Sequence, residues 1–214
     1  MENILKKEIV ILTPFRVGST SVREALSGIP NLSIHKLHTY GPYEYHIIKP
    51  DKVDGVILIY RKPIDIYISA YFADCDKPEY PYYFGTRDDV MAAPIDQLIN
   101  HFKSFKWETY GWLNYDYYID TLKKTFNVDP IGIKGFMDSP DHITHKVCVG
   151  KYHNQSKFMV VLLLKTNKLD QSMVIINNTF NIHIENMNRY QRQDQESWCS
   201  QKYVEFITKY DDII

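Results

Sequence analysis

Arg16, Gly18, Ser19, Thr20 and Ser21 fall within six consecutive positions of the stretch 8–26, EIVILTPFRVGSTSVREAL. They sit where an apolar run (Ile9, Val10, Ile11, Leu12) gives way to a helical pattern. The backbone N–H groups at a helix start have no intrahelical acceptors, and with the helix dipole they favour an anion, most often a phosphate. The turn's glycine, hydroxyls and guanidinium suit the same ligand. Lys36-Leu37-His38 ends a short strand-like run and adds an ammonium and an imidazole, the natural general base near neutral pH. Arg61 closes the run 53–60, and Ser69 follows eight positions later, two helical turns on. A guanidinium fork and a hydroxyl there suit a second phosphate. His35 is the rival to His38 as base. Three apart on an extended strand, the two face opposite ways, and His38 is favoured because it lies nearer the strand's C-terminal end.

These groups are placed by a regular alternation of elements. Strands are expected over 8–13, 32–37, 53–60, 128–134 and 157–164. Helices are expected over 19–27, 64–72 (with Pro63 in the first turn), 95–105, 115–126, 169–180 and 197–210. The stretches 74–94 and 135–156 read as irregular, the latter as a polar connector rich in His, Asp and Gly. Strands alternating with helices imply an α/β fold with a central parallel sheet of about five strands between helical layers, whose C-terminal strand edge binds the ligand.

Length and composition bound the reading. A chain of 214 residues with 44% hydrophobic and 24% charged residues suits a single α/β domain over 1–214. Lys plus Arg (25) almost balances Asp plus Glu (26), which argues against bulk electrostatic capture of nucleic acid and leaves room for a local basic pocket. Cys75, Cys148 and Cys199 are scattered, with no CxxC pair, and read as reduced thiols of a cytoplasmic or other intracellular soluble compartment. The first strand begins almost at once, so no signal peptide is expected, and no apolar run approaches the ~20 residues of a membrane span. His142, His145, Cys148 and His153 are metal-ligating types, but their spacing fits no standard zinc finger and no metal site is assigned. Many of the 17 tyrosines cluster between Tyr67 and Tyr118, as a packed aromatic layer or, in the sharper reading, as a cleft that stacks on sugar rings.

The turn after the first strand is not a nucleoside-triphosphate loop, which requires GxxxxGK followed by Ser or Thr; Ser19 follows Gly18 with no lysine. That weighs against an ATPase or GTPase. The combination PFRVGSTSV, KLH and YRKPIDIYISAYF resembles the sulfotransferases that use 3′-phosphoadenosine 5′-phosphosulfate (PAPS). Arg16 stands two before the glycine, as in that family's 5′-phosphosulfate loop, although Phe15 is inserted after Pro14. Arg61, Pro63 and Ser69 match its 3′-phosphate motif, and Lys36-Leu37-His38 resembles its K-T-H. The segment LLLK followed by LDQS at 169–172 resembles the carbohydrate branch, whereas the family's GxxGxxK is missing.

The resemblance implies a three-layer P-loop-type fold and transfer of a sulfuryl group from PAPS to a hydroxyl-bearing acceptor, a glycan being favoured. It implies His38 as base, Lys36 and Arg16 as charge stabilisers, and donor contacts from Arg16, Val17, Gly18, Ser19, Thr20, Ser21, Arg61 and Ser69. A P-loop kinase-like phosphotransferase and a non-catalytic nucleotide- or glycan-binding relative are the alternatives.

Overall fold

Continuous apolar runs make the central strands of this fold, because a strand buried on both faces has no polar positions to alternate with. The computed structural model describes residues 6–14, 16–37, 49–110, 115–128, 135–152, 155–184 and 199–211. Five strands, β1 (Lys7–Leu12), β2 (Leu32–Leu37), β3 (Gly55–Tyr60), β4 (Ile143–Tyr152) and β5 (Gln155–Lys165), form one sheet in the order β2-β1-β3-β5-β4. All neighbours are parallel except β4, which pairs antiparallel with β5. The fold is α/β, with a mostly parallel sheet flanked by helices.

Register assigns the sheet's two faces. Val10, Leu12, Val56, Leu58, Met159, Val161 and Leu163 share one core with Tyr118, Leu122 and Phe126 of helix α5 (Tyr115–Phe126). The opposite face carries Ile9, Ile11, Ile57, Ile59, Leu162 and Leu164, all buried. Helix α1 (Ser19–Ser27) lies on this second face, where Lys36, in register with Ile11, reaches Thr20. Helix α6 (Leu169–Phe180) lies there too, and its Phe180 ring covers Gly55.

By contacts the chain divides into two compact units, Met1–Arg61 with Gly111–Tyr190, which holds the sheet, and Lys62–Tyr110 with Gln191–Ile214. The second contains α2 (Pro63–Asp74), α3 (Arg87–Ala92), α4 (Ile95–Lys103) and α7 (Ser200–Asp211). Its core is aromatic. Tyr71 meets the rings of Phe72, Tyr82, Phe102, Trp107 and Phe206, and its hydroxyl lies 3.0 Å from His101 Nδ1. Burial pushes the Cys75 thiol in this core up to about 12, which keeps it protonated and unreactive.

Two expectations are corrected. The connector 135–156 contains β4, whose Ile143, His145 and Val147 alternate inward while Thr144, Lys146 and Cys148 are more exposed or solvent-facing. It is an edge strand, half wet and therefore polar in composition. The stretch 74–94 contains α3, held by a capping box in which the Thr86 hydroxyl accepts from the Asp89 N–H and the Asp89 carboxylate accepts from the Thr86 N–H. Of the tyrosine cluster, Tyr71 and Tyr82 are buried in the second unit and Tyr115 and Tyr118 in the first, as a packed aromatic layer requires, so these four rings cannot stack on a sugar; Tyr83 is exposed and Tyr67, Tyr80 and Tyr110 are half-buried. Of the strand expected over 128–134, Val128 is buried outside any strand and 129–134 lie outside the described residues. No helix among the described residues is long and apolar enough to cross a membrane.

A Cβ added at Gly55 would stand 2.3 Å from Phe180 Cε1, in a face with no slack. Gly55→Ala is expected to destabilise the fold by about 1–3 kcal/mol, read as a lower urea midpoint at unchanged slope.

Candidate functional site

The strand order places a switch point between β1 and β3: from β1 the chain runs to β2 on one side and then to β3 on the other. Open α/β sheets bind ligands outside the C-terminal strand ends at such a point. The turn 13–18 leaves β1 here, and Arg61 leaves β3 beside it.

The turn is shaped by two left-handed residues, Arg16 (φ 64°) and Gly18 (φ 85°, ψ 11°). Glycine takes that conformation without steric cost; for Arg16 the surroundings must hold it. They do so through carbonyls. Arg61 Nη1 donates to Arg16 O at 2.8 Å, and the Thr166 hydroxyl lies 2.8 Å from Val17 O. Val17 itself is fully buried and anchors the turn.

Helix α1 then starts at Gly18 with no side-chain cap and no acidic residue in its first turn. The first intrahelical bond runs from Val22 N–H to Gly18 O, so the amides of Gly18, Ser19, Thr20 and Ser21 have no intrahelical acceptor. The Ser19 and Ser21 side chains are buried, while Thr20 is half-buried and receives the Lys36 ammonium at 2.8 Å. A lysine beside the positive end of a helix dipole is electrostatically unfavourable unless an anion joins them.

Arg61 is itself fixed from behind. Its N–H donates to the buried Tyr115 hydroxyl at 2.8 Å, and that hydroxyl donates to Ile59 O at 3.1 Å. Burial raises the Tyr115 phenol well above its ordinary value, which keeps this donor a neutral O–H. Beyond it, Lys165 at the end of β5 donates to Phe136 O (2.6 Å) and Met137 O (2.9 Å) and stands over the Tyr60 and Phe136 rings. Its ammonium is a packed structural group.

The structure thus brings together Arg16, Val17, Gly18, Ser19, Thr20, Ser21, Lys36 and Arg61. Ser69 lies half-buried on α2 in the second unit. His38 lies outside the described residues. His35 is at mid-strand, its Nε2 2.6 Å from Glu8 Oε2 on the second residue of β1, away from the C-terminal edge. Burial works to raise the Glu8 carboxyl, but hydrogen bonds from His35 and Ser33 and the His35 charge outweigh it and hold the group below its ordinary value. Among the described residues no group of three or more His, Cys, Asp or Glu side chains converges as a metal site; His153 lies outside them. Tyr115 and Thr166 were missed from sequence, because a hydroxyl that binds a distant carbonyl leaves no local pattern. Comparison of the chain with protein-family models, with curated proteins and with solved structures finds no match.

His142 Nδ1 accepts the Lys165 N–H at 3.1 Å, and burial holds its imidazole below the ordinary 6.5. The unfolded chain gains this proton near 6.5 while the folded chain resists it to lower pH, so stability present above 6.5 is lost as pH falls below it. Denaturant midpoints measured from pH 7 to 5 are expected to fall, and to fall less in His142→Asn, whose amide oxygen accepts the same N–H at every pH.

Proposed function

We propose that this chain is a sulfotransferase of the PAPS-dependent kind, transferring a sulfuryl group to an acceptor hydroxyl, with a glycan as the favoured acceptor class. The observation that carries the reading is the meeting, at the β1/β3 switch point, of the uncapped start of α1, the Lys36 ammonium at Thr20 and Arg61 at the turn, with no acidic residue in the first turn of α1. The P-loop character of the turn is part of the same proposal. The motif resemblance of Arg61-Lys62-Pro63 with Ser69, and of Lys36-Leu37-His38, names the donor.

In this reading the acceptor oxygen attacks sulfur as the bond from sulfur to the bridging oxygen of the 5′-phosphate breaks in line. The acceptor proton passes to His38, and the departing charge on adenosine 3′,5′-bisphosphate (PAP) is met by Lys36, Arg16 and the turn amides. Lys36, held at the Thr20 hydroxyl beside the start of α1, supports that role. Positioning and fixed dipoles supply most of the rate, as in loose phosphoryl transfer.

Thermal-shift titration tests the donor. PAP is expected to raise the melting temperature and ATP with Mg²⁺ to leave it unchanged; stabilisation by ATP–Mg²⁺ alone would replace this reading with a kinase-like one. Lys36→Met is expected to lower transfer of labelled sulfate to a glycan and alcohol panel by about 10²-fold. In the pH–rate profile, His38→Ala is expected to remove the limb that reports base ionisation and His35→Ala to keep it; the reverse pattern makes His35 the base.

A further inference from the structure

The geometry points to Thr166 as a positioning residue for the anion site, the group that aims the Gly18 N–H at the donor's 5′-phosphate; the identity of that ligand rests on the function proposed above. Thr166 follows β5 directly, opening a short 3₁₀ turn, Thr166–Lys168. Its half-buried hydroxyl lies 2.8 Å from Val17 O and 3.1 Å from Tyr60 O. It has one proton for two carbonyls, and the shorter contact is to the turn. The hydroxyl therefore links three structures that are far apart in sequence: the loop after β1, the last residue of β3 and the end of β5.

A trans peptide carries its C=O and the following N–H on opposite sides. With Val17 O drawn to Thr166, the Gly18 N–H must point the other way. The same logic applies one residue earlier, where Arg61 takes Arg16 O and so turns the Val17 N–H away from itself. Rotation of the Val17–Gly18 peptide is the motion the turn would otherwise have, since Gly18 is conformationally permissive and carries no side-chain cap. Burial of the Val17 side chain fixes where this peptide sits, and Thr166 fixes how it is rotated. A loop with freely rotating amides would have to be ordered by the ligand, and that ordering would weaken binding.

The test uses the full chain. PAP dissociation constants are measured by calorimetry for the native protein, Thr166→Val and Thr166→Ser, each well below its melting temperature. Valine keeps the shape and loses the hydroxyl; its PAP affinity is expected to fall about tenfold, the scale of one lost aimed hydrogen bond, while serine stays within about twofold of native. Equal affinities of the native and valine proteins overturn the assignment, because a Thr166 that only holds the fold together lowers the melting temperature without changing binding by the folded fraction.

Should Thr166→Val fail to fold, ¹⁵N-glycine spectra of the native protein decide. A downfield move of the Gly18 amide proton on adding PAP supports the assignment, and an unmoved Gly18 signal with PAP bound overturns it. Inorganic pyrophosphate, run in parallel, separates the two ideas. Pyrophosphate binding with the same ranking of variants but no PAP binding removes the donor and keeps Thr166; binding of neither overturns both.

Discussion

The carbonyls of Arg16 and Val17, in the turn between β1 and α1, are committed to fixed partners, and the site depends on this. Their carbonyls are taken by Arg61 and Thr166, so their amides face the opposite direction together with the uncapped start of α1. A loop that lacked these two bonds would satisfy its own carbonyls with water and present its amides in many orientations. Here the left-handed conformation of Arg16, costly for a residue with a Cβ, is sustained because its carbonyl has a fixed partner.

Those partners are only as rigid as the strands that carry them. Arg61 is the first residue past β3 and Thr166 the first past β5, and the halves of both strands that lead to them, residues 56–59 and 161–164, are apolar and buried on both faces. Tyr60 and Lys165 are paired in register at the ends of these strands, and the ammonium of one lies over the ring of the other. Tyr115, supplied by α5, closes the arrangement by joining the Arg61 N–H to Ile59 O. A sheet with less buried central strands would let the ends of β3 and β5 move separately, and the two carbonyl bonds would not hold one geometry.

What could be read from the chain follows the same division. The buried strands 8–13 and 53–60 and the helices 19–27, 115–126 and 169–180 were legible because apolar runs and 3.6-residue periodicity are local signals. So was the turn after β1, since a glycine and three hydroxyls between an apolar run and a helical pattern are a local signal. β4 was not legible: its inward residues include His145, its bulge falls between Cys148 and Gly150, and its pairing to β5 is a tertiary fact. For the tyrosines packing was the favoured reading, because aromatic clusters usually pack, and burial bears it out for Tyr71, Tyr82, Tyr115 and Tyr118. Tyr115 and Thr166 act through hydroxyl-to-backbone bonds across 54 to 149 positions, a relation with no signature in a single sequence.

The electrostatics of the site also bear on which anion the proposed function requires. The start of α1, Lys36 at Thr20 and Arg61 at the turn set positive ends near the C-terminal end of β1, and such ends repel one another wherever no anionic group lies between them. The free energy of that repulsion is returned when an anion arrives, so binding and stability are linked, and a ligand with more localised negative charge recovers more of it. A nucleotide whose phosphates are already neutralised by a divalent cation recovers less.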